Sequence, residues 1–154
     1  MDAHEYQHGE YVVTTDRGRL DLELIYQFLT HSYWAEGIPR EIVVRSVENS
    51  LCFGVFKGNQ QVGFARIVSD FATYAYLGDV FILPEHRGHG LAKFLMRCIV
   101  EHPRLQGLRR WSLATRDAHS LYAQFGFRAL AHPESYMERY NREVYRKASP
   151  NRST

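Results

Sequence analysis

Asp79-Val80-Phe81-Ile82-Leu83-Pro84-Glu85-His86-Arg87-Gly88-His89-Gly90-Leu91-Ala92 is where the chain changes period. The alternation from Tyr74 to Leu83 predicts a strand with Leu77, Asp79, Phe81 and Leu83 on one face. Pro84 stops that strand. From Gly88 to His102 the period turns helical, with Leu91, Phe94, Leu95, Cys98 and Ile99 in a single apolar stripe. A strand entering a glycine turn that opens a helix presents unpaired backbone N–H groups at the positive end of the helix dipole, a ready site for a phosphate or diphosphate. Gly88 and Gly90 lack Cβ, so the chain can turn sharply there and an anion can approach the backbone closely. A P-loop is excluded because Leu91 follows Gly90, and a dinucleotide fingerprint because Leu91, Ala92 and Lys93 follow Gly88-His89-Gly90.

Outward from this segment, Leu22, Ile25 and Leu29 predict a first helix from Asp21 to His31, with Asp21 as its N-cap. Pro39 opens a second helix with Val43, Val44 and Val47 on one face. An aromatic loop, Ser32-Tyr33-Trp34, lies between them. Tyr11 to Thr14, Leu51 to Phe56 and Val62 to Val68 read as strands, the last two joined by the turn residues Lys57-Gly58-Asn59-Gln60. Downstream, Trp111 to Thr115 is an expected strand and Ala118 to Phe125 a short helix. Phe127 to Leu130 and Tyr136 to Tyr140 are two further expected strands. Strands and helices alternate around a central meander, so the fold class is α/β or α+β with a mixed sheet.

The whole composition fits one ordinary folded domain. The chain has 154 residues, 45% hydrophobic and 23% charged, enough to bury roughly 68–70% of its unfolded surface without a disulfide or metal. Its 19 Lys plus Arg against 17 Asp plus Glu give a formal charge of +2, too balanced to point to a nucleic-acid partner. Cys52 and Cys98 lie in apolar runs without metal spacing, which suits buried thiols in a reducing compartment. No apolar run reaches a membrane span and the opening residues lack signal-peptide character, so a cytoplasmic location is expected. Residues 1–140 read as the domain. Residues 141–154, with Arg142, Arg146, Lys147 and Arg152, read as a basic, solvated tail.

Arg87-Gly88-His89-Gly90-Leu91-Ala92 resembles the R/Q-x-x-G-x-G/A signature of the GNAT N-acetyltransferase superfamily, with the preceding strand ending in Pro84 as it does there. Ala118-x-x-Leu121-Tyr122-x-x-x-Gly126-Phe127 is similar to that family's second cofactor-side motif, in register with the first. The resemblance covers most of the chain, from Tyr11 to Leu130. It implies a single-domain, mixed, mostly antiparallel sheet flanked by helices and splayed open near Leu83, with acetyl-CoA in the opening. By position, the backbone of Phe81, Ile82 and Leu83 would pair with the pantetheine arm. The turn Arg87, Gly88, His89, Gly90, Leu91 and Ala92 would cradle the diphosphate, and Tyr122 would act as general acid beside the sulfur. Thr115 stands where the family often has Asn, and its hydroxyl offers one group fewer to the pantetheine.

Thioester aminolysis needs a neutral amine, stabilisation of developing charge and a proton for the leaving sulfur. A tyrosine of ordinary pKa near 10 is a competent donor to a thiolate. Asp79 is the candidate base, because a carboxylate on an apolar strand face requires an explanation; a bulge that turns it to solvent or to a satisfied hydrogen bond is the alternative, and water alone could carry the proton. Tyr33, Trp34 and Tyr76 are candidates for the wall of the acceptor site. Lys93 and Arg97 lie on the polar side of the motif helix. The acceptor implied is a small-molecule or peptide amine, without a metal, nucleic acid or membrane. Exposed sheet ends make a homodimer an expectation. A non-catalytic acyl-CoA-binding module, and a turn serving another nucleotide, are the competing readings.

Overall fold

The computed structural model describes residues 2–146. Six strands form one sheet in sequence order, β1 (Glu5–His8), β2 (Tyr11–Thr14), β3 (Leu51–Lys57), β4 (Gln60–Ser69), β5 (Tyr74–Ile82) and β6 (Arg110–Leu113). All neighbours are antiparallel except β5 and β6. The helices are α1 (Leu22–Thr30), α2 (Arg40–Glu48), α3 (Leu91–Val100) and α4 (His119–Ala123). No helix among the described residues is long and apolar enough to cross a membrane.

Local chemistry sets the helix ends. The Asp21 carboxylate accepts from the Leu24 N–H at 3.0 Å, a cap worth about 1 kcal/mol. Pro39 is the N-cap of α2 and Gly90, at φ +72°, that of α3. The apolar stripes then choose faces. Ile25, Leu29, Val43 and Val47 pack with Cys52, Phe64 and Phe81 on one side of the sheet. Leu91, Leu95, Cys98 and Ile99 pack with Phe53, Val55, Ile67 and Leu77 on the other. Each such side chain, fully buried, stabilises the fold by roughly 1.5–3 kcal/mol. Both cysteines are buried free thiols.

Four expectations are corrected. Leu77 does not share a face with Asp79, Phe81 and Leu83, because Leu77 packs with α3, whereas Phe81 and Leu83 pack with α1 and α2. The cause is a bulge: Arg66 pairs with Gly78 but Phe64 with Phe81, so β5 carries one residue more than β4 between those pairs, and Asp79 takes φ +55°. Phe127–Leu130 and Tyr136–Tyr140 form no strand; their apolar residues have no ladder to join, and Tyr136, Met137 and Tyr140 are exposed. β1 was not expected, its sequence Glu5-Tyr6-Gln7-His8 being that of a polar edge. The stretch from Asn141 is not wholly solvated, since Tyr145 packs against the α1–α2 cluster. Lys147 to Thr154, the rest of the expected tail, lie outside the described residues.

Candidate active site

The sheet opens between β5 and β6. Their parallel pairing covers Tyr74–Leu77 against Arg110–Leu113 and stops there. Beyond Leu77 the free edge of β5 forms one wall of a cleft of about 1220 Å³. The Leu83 N–H donates to the Val62 carbonyl at 2.8 Å. Phe81 and Leu83 therefore both turn their backbone groups to β4 by the alternation of an antiparallel ladder, and Ile82 faces the opening. Of the three residues expected to offer backbone bonds to a ligand, the geometry leaves Ile82 as the donor. By the same phase Val80, not singled out in the sequence, joins it.

The turn after β5 is built for an anion. The Arg87 N–H bonds the Pro84 carbonyl, and the first helical bond of α3 runs from Phe94 to Gly90. Between them the N–H groups of Gly88, His89, Gly90, Leu91, Ala92 and Lys93 have no acceptor among the described residues. Gly88 and Gly90 sit at φ +84° and +72°, and a Cβ at either would meet nothing within 4 Å, so the space over the turn is open. Arg87 serves the turn itself, its Nε donating to the Ile82 carbonyl at 2.9 Å. The Leu91 side chain goes to the core, leaving its N–H to the site. The His89 ring turns toward Tyr11, at 5.8 Å between centroids, so this residue offers backbone only. His86 lines the cleft while its Nδ1 meets the Tyr11 hydroxyl at 3.1 Å. Lys93 also lines the cleft and Arg97 does not. Six contiguous donors on a glycine turn at a helix start fit a diphosphate.

Tyr122 closes the far wall. α4 holds its ring against Phe127, with 8% of the residue exposed. Its hydroxyl has no hydrogen-bond partner among the described residues, and the residue lines the cleft. Burial, then the nearby Tyr33 and Asp117, push its pKa above the ordinary value of 10.0. The Thr115 oxygen accepts from the Ala118 N–H at 3.1 Å, which leaves its hydroxyl proton free for the cleft.

The opposite end is aromatic. Tyr33, Trp34 and Tyr76 all line it. Phe28 stacks on Phe81 at 4.0 Å, and Arg116 lies over the Tyr33 ring at 3.8 Å. Asp79 is present, but both its oxygens are engaged. Trp34 Nε1 donates to Oδ1 at 2.9 Å and Arg66 Nε to Oδ2 at 2.8 Å. Sequence reasoning missed Arg66; a lone arginine in the otherwise apolar run Val62 to Val68 was its only signal.

A backbone donor row, an open strand edge and a tyrosine with an unpartnered hydroxyl around one cleft define, with this fold, an acyltransferase. Comparison with known proteins agrees. The model of the acetyltransferase (GNAT) family matches residues 19–127. A Gibberella zeae protein provisionally named an acetyltransferase is 31% identical over 139 residues, 75% of this chain and 77% of its own. A GNAT-family structure from Xanthomonas campestris pv. campestris, also provisionally an acetyltransferase, has a TM-score of 0.86 at 53% identity. It covers 90% of this chain and 97% of that one. A Clostridium acetobutylicum structure containing acetyl-CoA shares the fold, with a TM-score of 0.60 at 15% identity over 90% of this chain and 95% of its own. The chain belongs to the GNAT acetyltransferase family.

Proposed function

We propose that this acyltransferase moves the acetyl group of acetyl-CoA to a primary amine by direct attack in a ternary complex. The observation that carries the reading is the row of six unpaired N–H groups from Gly88 to Lys93, in one cleft with the Tyr122 hydroxyl. Acetyl-CoA would supply an activated thioester; the chain binds and orients it. The N–H row holds the diphosphate, the outward backbone of Val80 and Ile82 aligns the arm, and the Ile82 N–H is aimed where negative charge develops on the carbonyl. The neutral amine nitrogen forms the new C–N bond as the C–S bond breaks. Tyr122 gives its proton to the departing sulfur, the amine nitrogen sheds one to water, and Tyr122 regains one from solvent. Neither cysteine lines the cleft, which favours this route over an acyl-cysteine.

Asp79 enters this reading as a positioning residue in place of the base expected from sequence, since both oxygens already accept hydrogen bonds. The aromatic end formed by Tyr33, Trp34 and Tyr76 receives the small-molecule or peptide amine. An unpartnered hydroxyl on the otherwise buried Tyr122 favours turnover over a non-catalytic acyl-CoA module.

Calorimetric titration with acetyl-CoA tests the reading, beside a Gly90→Glu variant that puts a strained side chain and a negative charge at the donor row. Binding by the wild type, lost in the variant, is expected. Absence of binding by the wild type would overturn it.

A further inference from the structure

We propose that Arg66 and Trp34 are positioning residues that lock the Asp79 bulge and tie the acceptor wall to the strand that aligns the thioester. The catalytic part of this inference rests on the acetyl-transfer reading above. Asp79 is one of two non-glycine residues with positive φ among the described residues. A left-handed residue inside a strand is strained and persists only where its surroundings hold it. Here the holding groups are explicit. The carboxylate receives the indole N–H of Trp34 on one oxygen and the guanidinium of Arg66 on the other. Arg66 NH1 continues to Ser50 Oγ at 3.1 Å, and Ser50 Oγ donates to the Ser46 carbonyl at 2.6 Å on α2. The Arg66 and Asp79 side chains are only 20% and 11% exposed, so solvent screens the pair weakly.

The two ends of this chain of bonds do different work. On the β5 side, the bulge sets the phase of the strand. Without it Ile82 would not turn its N–H to the cleft, and the donor for the acyl carbonyl would be lost. On the loop side, Trp34 is 40% exposed and Tyr33 50%. Loop residues Ala35, Gly37 and Ile38 bond back to Ser32, Thr30 and Ala35, and the Trp34 N–H is the polar link from this loop to the strand. The aromatic wall therefore sits at a fixed height above the thioester because one carboxylate binds both. Arg66, neutralised by Asp79, acts through that carboxylate.

Three proteins separate the ends: the wild type, Trp34→Phe, which keeps a ring and removes the N–H donor, and Arg66→Met, which removes the guanidinium. In Trp34→Phe the KM for the amine should rise about fivefold or more, with acetyl-CoA affinity within about twofold. In Arg66→Met kcat itself should fall about tenfold or more, because the Ile82 donor is misaimed. Amide exchange at Ala35, Gly37 and Ile38 should quicken about tenfold in both variants and stay unchanged in α3. An unchanged KM with unchanged loop exchange in Trp34→Phe would overturn the proposal, and that variant decides alone if Arg66→Met does not fold. Should the wild type bind no acetyl-CoA, the acetyl-transfer reading falls, while the exchange data still decide the mechanical link.

Discussion

Tyr122 joins two properties that are hard to combine, a ring in the core and a hydroxyl with nothing to bond. Replacement by Phe keeps the packing against Phe127 and removes the proton donor alone. Turnover of Tyr122→Phe should fall about tenfold or more, with acetyl-CoA affinity unchanged by calorimetry; near-wild-type turnover would remove Tyr122 from the acid role. The direction of its pKa shift adds a pH prediction. Burial raises it above 10.0, so the residue stays protonated across neutral and mildly alkaline pH. The kcat profile should therefore show no alkaline fall across neutral and mildly alkaline pH, and an acid limb should come from protonation of the amine. A pH–rate profile with a fall near pH 8 would point to a different acid.

At the scale of elements, the turn between β4 and β5 depends on Asp70. Its carboxylate accepts from the N–H groups of Thr73, Ala72 and Tyr74 and from the Thr73 hydroxyl. These bonds hold its carboxyl far below the usual carboxylate range. A depressed carboxyl stabilises the fold above its unfolded pKa, and that support fades as the pH falls below it. Asp70→Ala should lower the thermal midpoint by several degrees at pH 7, with a smaller deficit at strongly acid pH, measured by circular dichroism. The same scale shows what the sequence could reveal. The stripes at Ile25 and Leu29, and at Leu91, Leu95, Cys98 and Ile99, fixed α1 and α3 because a helix needs only local periodicity. Phe127–Leu130 and Tyr136–Tyr140 have strand-like residues but no edge pairs with them, and pairing is not a local property. At the candidate site, the glycine turn was legible from its residue types, and Tyr122 only from the resemblance of the motif that holds it. Val80 and Arg66 were not, since one acts by its backbone and the other through Asp79. The bulge was legible only as the alternative that a carboxylate on an apolar face raises, because alternation itself counts one residue per pleat.

The whole molecule has a buried weak point toward acid. His102 is 1% exposed, packed between His4 and Phe53, and its Nδ1 accepts from the Arg104 N–H at 3.1 Å. Burial, then His4 and Arg104, lower its pKa from 6.5 to about 4. The unfolded chain takes up this proton near pH 6.5, the folded one only near 4. Stability is thus fully present above pH 6.5 and is lost as the pH falls through that window. Thermal midpoints should decline between pH 6.5 and 4, and less so in His102→Gln; equal slopes would clear His102. The fold also has a length requirement. Asp79 shifts the end of β5 from one core to the other, so that Leu77 belongs with α3 and Phe81 with α1. The strand in effect keeps count. Deleting a single residue at 79 or 80 would send Phe81 toward α3 and Ile82 toward α1, exchanging the two interiors' claims on every position up to Pro84. This strand can drift in composition, but its number of residues is held from both sides of the sheet.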